Sequence, residues 1–122
     1  MAGTAVIVPF YATAFRKDDL AAALAQIGAI SLRYGAKGWH VYQSQDDQYR
    51  FTFVVDFERK AQWEAYWYGE EFASMRAACS GWYQVPLLYA WHDLVLEGGL
   101  EQGNGNGLVE AQRPTPAQTP GP

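Results

Sequence analysis

Apolar positions along the first 97 residues recur in two periods, and the period changes where the elements change. Residues 5–12, AVIVPFYA, form a β-branched and aromatic run that predicts a strand, with Pro9 inside it placing that strand at an edge or a bulge. In KDDLAAALAQIGAISLRYG, Leu20, Leu24, Ile27, Ile30 or Ser31, and Tyr34 return at helical spacing. Asp18 and Asp19 stand in the first turn, where the helix dipole favours them, and Gly35 ends the helix. GWHVYQS and YRFTFVVDF flank the polar QDDQ and predict a hairpin. A second helix begins near Glu58, is interrupted at Gly69 and resumes through EEFASMRAACS; PLLYAWHDLVL, residues 86–96, reads as a last strand. The order β-α-β-β-α-β predicts an α+β fold, the ferredoxin-like plait, in which a four-stranded antiparallel sheet carries two helices on one face.

The pattern stops after Glu97. Residues 98–122, GGLEQGNGNGLVEAQRPTPAQTPGP, hold six of the twelve glycines and four of the six prolines, with Leu100, Leu108 and Val109 as the sizeable apolar side chains. Such a segment buries too little surface to offset the entropy of ordering it. The expected organisation is one domain over residues 1–97 followed by a flexible Gly/Pro-rich tail. The alternatives for the tail are a segment centred on GLVEAQ that docks a protein partner, or an arm that packs on a neighbouring subunit.

The hairpin lets the two sheet faces be assigned. With Gln45, Asp46, Asp47 and Gln48 as the loop, Ser44 lies opposite Tyr49, and Tyr42 pairs with Phe51, His40 with Phe53 and Gly38 with Val55. The opposite face then carries Trp39, Val41, Gln43, Arg50, Thr52 and Val54, which is also substantially apolar. An antiparallel sheet with helices on one side reads polar on the other, so this face needs a cover. A second copy of the chain, sheet against sheet, is the expected one, giving a homodimer.

Composition narrows the function classes. Hydrophobic residues make up 49% and charged residues 18%, a globular balance, while aromatics at 16% are heavy. The net charge of −4 is spread along the chain without a basic stripe, which argues against a nucleic-acid partner. Cys79 is the single cysteine, so no internal disulfide forms, and no Cys/His spacing builds a zinc site; no metal is expected. The start MAGTAVIVPFYATAF lacks a basic n-region and is broken by Pro9, and no apolar run approaches the roughly 20 residues that span a bilayer. A cytoplasmic protein with no membrane association is the expectation.

The aromatic weight concentrates in QWEAYWYGEEF, which holds Trp63, Tyr66, Trp67, Tyr68 and Phe72. Trp63, Tyr66 and Trp67 stand at i, i+3 and i+4 and point one way, toward the sheet. In the register above they meet His40, Tyr42, Phe51, Phe53 and Phe57. Two readings are open. The cluster lines a pocket in which His40 takes a proton, or it fills a core and His40 is a neutral, hydrogen-bonded histidine. His92 reads as a partly exposed histidine at a strand end, and Arg50 and Asp56 fall on the opposite face.

The chain resembles the dimeric α/β-barrel proteins of the antibiotic biosynthesis monooxygenase type over about residues 5–96. The resemblance rests on the element order, on GWHVYQSQDDQYRFTFVVDFERKAQWEAY as a hairpin feeding the second helix, and on the break at YGEEF. It implies a dimeric α/β barrel with a substrate cavity in each protomer between sheet and helices. The candidate catalytic residues are then His40, Tyr42 and Tyr66, and the substrate-contacting residues Phe51, Phe53, Phe57, Trp63, Trp67 and Phe72. The implied function is that of a cofactor-independent monooxygenase acting on an aromatic or polyketide-like compound. The alternative is a non-catalytic ligand-binding or scaffold homo-oligomer whose tail docks a partner. Departures from the resembled family are specific. Phe53 stands where some quinone-forming members carry a polar side chain, and Phe57 stands where they carry a nearby Trp. Trp67 has a counterpart in the haem-degrading branch, but the first strand has no Asn and the second helix no His after Trp67, so haem is not expected. Flavin and nicotinamide are not expected either, because GNGNG lies in the tail with no strand before it and no helix after it.

Overall fold

The computed structural model describes residues 3–100 and, as backbone, residues 108–112. The elements of the body are β1 (Thr4–Tyr11), α1 (Lys17–Ser31) with a 3₁₀ turn at Leu32–Tyr34, β2 (Gly38–Gln43), β3 (Arg50–Asp56), α2 (Lys60–Trp67), α3 (Glu70–Ala78) and β4 (Ala90–Asp93). The four strands pair antiparallel in the order β2-β3-β1-β4, the ferredoxin-like arrangement that the apolar pattern predicts. β1 is a central strand rather than an edge. It accommodates Pro9 because β4 pairs only with Thr4 to Ile7, leaving Pro9 where β1 has a ladder partner on one side. Among the described residues no helix is long and apolar enough to cross a membrane.

Leu20, Leu24, Ile27, Gly28 and Ser31 form the buried stripe of α1. Gly28 sits where α1 crosses β2: a Cβ there would stand 2.5 Å from the Trp39 ring, so the missing side chain makes the close approach possible. Gly35 turns the chain at φ +100°, a left-handed conformation that favours glycine. The second helical region breaks at Gly69 into α2 and α3. A Cβ at Gly69 would lie 2.6 Å from the Ala65 carbonyl oxygen and 2.9 Å from the Tyr34 hydroxyl. Val6, Val8, Phe10, Phe51, Phe53 and Val55 of the sheet close against Leu20, Leu24, Trp63, Tyr66 and Phe72 of the helices, all at most 1% exposed.

The hairpin register differs by one residue from the sequence reading. Trp39 pairs with Val55, His40 with Val54, Val41 with Phe53, Tyr42 with Thr52 and Gln43 with Phe51. The cause is a loop one residue longer. Ser44 pairs with Arg50, donating its N–H to the Arg50 carbonyl at 2.9 Å, so Tyr49 belongs to the loop. Side chains organise that loop: the Ser44 hydroxyl accepts the Asp46 and Asp47 N–H groups, Asp47 Oδ1 accepts the Tyr49 N–H, and the Tyr11 hydroxyl donates to Asp47 Oδ2 at 2.7 Å. Because side chains alternate, a slip of one residue exchanges the faces of β2. Trp39 and Val41 turn inward beside Phe53 and Val55, while His40 and Tyr42 turn outward beside Thr52 and Val54.

The end of the body also differs from expectation. Residues 86–89 are irregular, and Leu94, Val95 and Leu96 beyond β4 are exposed. Glu97–Leu100 (β5), which begins at the last residue of the expected domain and runs into the segment read as a flexible tail, pairs antiparallel with Leu108–Gln112 (β6) as a separate two-stranded ribbon with a bulge between Glu97 and Gly99. The rest of that segment, residues 101–107 and 113–122, lies outside the described residues.

Candidate functional site

Trp63 is the centre of the aromatic cluster. Its ring lies 5.2 Å from Trp67 in a stack, 5.0 Å from Tyr89, 5.6 Å from Tyr66, 6.1 Å from Phe57 and 6.5 Å from Phe72. The other rings close on one another, Tyr66 and Trp67 both within 5.0 Å of Phe72. Arg76 completes the group. It stands one turn after Phe72 on α3, and its guanidinium carbon lies 4.5 Å from the Trp67 ring centre and 5.1 Å from that of Phe72. Two donors in this cluster have no acceptor among the described residues: Trp63 Nε1 and Arg76 Nη1, both out of contact with solvent. A buried donor left unpaired costs roughly 1–3 kcal/mol, more when it is charged, so two beside the same rings mark a place that lacks an acceptor.

Seven of the nine candidate residues are brought together here and in the adjoining core: Phe51, Phe53, Phe57, Trp63, Tyr66, Trp67 and Phe72. His40 and Tyr42 are not among them. The one-residue shift in register puts both on the outer sheet face, where their rings stack on each other with centres 6.2 Å apart and Tyr42 is 62% exposed. Tyr66 is in the cluster, but its hydroxyl is committed: it donates to the Ile27 carbonyl and ties α2 to α1. Burial pushes the Tyr66 phenol far above its ordinary pKa and so favours its neutral form. His92 is exposed on β4, with Nδ1 3.3 Å from the Ala90 carbonyl.

No protein-family model matches the sequence, and no curated protein sequence matches it either. Solved structures do. A Bordetella bronchiseptica protein described as a candidate antibiotic biosynthesis monooxygenase superposes with a TM-score of 0.70 at 21% identity, over 79% of this chain and 100% of its own. A Nitrosomonas europaea protein of the same description gives 0.68 at 17% identity, over 75% and 88% of the two chains. A third structure, described as an antibiotic biosynthesis monooxygenase, gives 0.66 at 13% identity, over 75% and 98%. The chain has the antibiotic biosynthesis monooxygenase-type fold.

Within this monooxygenase-type fold the positions noted as departures, Phe53 and Phe57, are buried hydrocarbon at 0% and 1% exposure and offer no polar group to a ligand. The polar groups that face the rings come instead from Arg76 and from the Trp63 indole. Arg76 was legible as a charged residue one turn from Phe72, a core-facing position, yet its value depends on neighbours that only folding supplies. Tyr89, which closes on Trp63 and Trp67, lies in the irregular segment that the sequence reads as strand. Clefts open on the surface of the described residues, and neither of the following two is lined by His40 or by Trp63, Trp67 and Phe72. One of about 790 Å³ runs between α1 and α3 past Ile27, Met75 and Trp82; another of about 420 Å³ lies at the β4 edge around Lys37, Asp56, Glu58 and His92.

Proposed function

We propose that this protein binds a flat aromatic or polyketide-like compound carrying an acidic oxygen, against Trp63, Trp67 and Phe72, and acts on it as a cofactor-independent monooxygenase. The observation that carries this reading is the pair of unpartnered buried donors, Trp63 Nε1 and Arg76 Nη1, beside stacked rings. An enolate or phenolate oxygen is the kind of acceptor that these donors lack, and a guanidinium in a water-poor site favours the anion over its protonated form. The electron-rich carbon of such an anion reacts with dioxygen. A ring-flanked methylene becomes a carbonyl, one oxygen atom enters the product and the other leaves as water, with the substrate supplying the electrons. Phe51, Phe53 and Phe57 shape the apolar floor, and Tyr66 holds the two helices in place. In this reading His40 and Tyr42 serve the outer sheet face.

Wild-type protein titrated with hydroxynaphthoate should show quenched tryptophan fluorescence, and naphthalene should bind more weakly. Arg76→Gln and Trp63→Phe should each weaken hydroxynaphthoate about tenfold, the effect of losing one hydrogen bond to a charged oxygen. Equal binding of both probes, or equal affinity in all three proteins, overturns the reading.

A second reading, a homodimer serving as scaffold, is favoured by the outer sheet face. Ile7, Pro9, Val54 and Ala90 lie together there with His40 and Tyr42 beside them, on the side of the sheet away from the core helices. The two readings are compatible, since the helices and the outer face lie on opposite sides of the sheet.

A further inference from the structure

We propose that the groove between α1 and α3 is a second binding site, for a flat organic cation. The groove encloses about 790 Å³, within the range of small-molecule sites. Its width comes from small side chains, Ala22 and Ala23 on α1 and Ser74 and Ala78 on α3. Its floor is apolar, with Ile27 and Cys79 buried and Met75 and Trp82 half-buried. The charges that line it are all of one sign: Asp19 on α1, and Glu70 and Glu71 at the start of α3.

The surrounding cations engage two of these three carboxylates and leave Glu70 without an ion pair among the described residues. Arg16 binds Asp19 at 2.9 Å and lies 5.1 Å from the Trp82 ring centre, so this indole already receives one cation. Arg33 reaches Glu71 at 3.8 Å, and the Tyr34 hydroxyl donates to the same carboxylate. An apolar slot edged by acceptors selects a hydrophobic body with a positive group. α3 has nine residues, about 14 Å of helix, which suits a small molecule better than a docked helix. The site is distinct from the aromatic cluster. Glu70, Glu71, Ser74, Met75 and Ala78 share one face of α3, while Phe72 and Arg76 share another.

Fluorescence anisotropy of aminoacridine, a flat cation at neutral pH, tests this on the full chain, with acridine as its neutral competitor. Aminoacridine should bind saturably and about tenfold more tightly than acridine, and more weakly as salt rises. Glu70→Gln should weaken it about fivefold, the upper end of what one exposed charge pair contributes. Ala78→Phe, at an exposed position, should fill the groove and abolish binding, with Ser74→Leu as a second filled variant should the first fail to fold. Trp63→Phe and Arg76→Gln should leave aminoacridine binding unchanged, which separates this site from the proposed substrate site. Absence of saturable binding, equal affinity for acridine, or retention of binding in a folded filled variant overturns the proposal.

Discussion

Trp63 touches five other aromatic rings and is fully buried, so its loss empties the middle of the helical layer. Trp63→Ala should cost about 3–5 kcal/mol in urea unfolding. Trp63→Phe keeps a ring and deletes the unpaired N–H, so it should cost well under half as much in the ligand-free protein. A phenylalanine variant as unstable as the alanine one would show that the indole N–H has a partner in solution. Two half-buried carboxylates contribute to the acid limit. The Tyr11 hydroxyl, then the Tyr49 N–H, hold Asp47 below the usual carboxylate range, and the Tyr34 hydroxyl does the same for Glu71. A depressed pKa contributes stability above the unfolded value, and that contribution disappears as pH falls through the folded one. The melting temperature should therefore drop below about pH 4, the unfolded carboxylate range, and Asp47→Asn should flatten that drop. At the alkaline end the sign reverses. Tyr11, Tyr34 and Tyr66 are raised, the first two chiefly by hydrogen bonds to carboxylates and the third by burial. Their contribution is present below the ordinary phenol range and is lost as pH rises through it, a loss that phenolate absorbance would follow.

Elements in this fold are spaced by the residues they lack. α1 lies close to β2 because Gly28 carries no Cβ toward Trp39, and α2 turns into α3 because Gly69 carries none toward the Ala65 carbonyl. Gly28→Ala should cost about 1–3 kcal/mol by overpacking against the indole, read from thermal or denaturant midpoints. Combining it with Trp39→Leu should recover part of that loss, and strictly additive effects in the double-mutant cycle would show that the two residues do not meet. The hairpin loop is the other element-scale device. Ser44 and Asp47 spend their side chains on loop N–H groups, so the turn closes with Tyr49 inside it. A pattern of alternating apolar residues on both faces, as in GWHVYQ and RFTFVVD, accepts either register, and the loop chemistry decides between them.

For the whole molecule, the outer sheet face makes the testable statement. Val54→Asp places a charge among Ile7, Pro9 and Ala90 of a face proposed to close on a second copy. Light scattering at micromolar concentration should give a dimer for the wild type and a monomer for the variant, whose circular dichroism stays native because Val54 lies outside the core. A wild-type monomer overturns the pairing. Val41→Asp instead attacks the core face beside Phe53 and should unfold the chain whatever its oligomeric state.

Element types, their order and the plait were legible in the sequence because they depend on local periods and on glycines at fixed places. The helical spacing of Leu20, Leu24 and Ile27, the break at Gly69 and the direction of Trp63, Tyr66 and Trp67 are properties of short windows. Which side chains face each other across the sheet was not, because the faces of β2 hang on a single loop residue. That residue moved His40 and Tyr42 out of the site. The unpaired donors of Trp63 and Arg76 and the groove between α1 and α3 are likewise products of tertiary structure. An unsatisfied N–H and a gap between helices exist only once distant segments have packed, and no pattern along the chain records them.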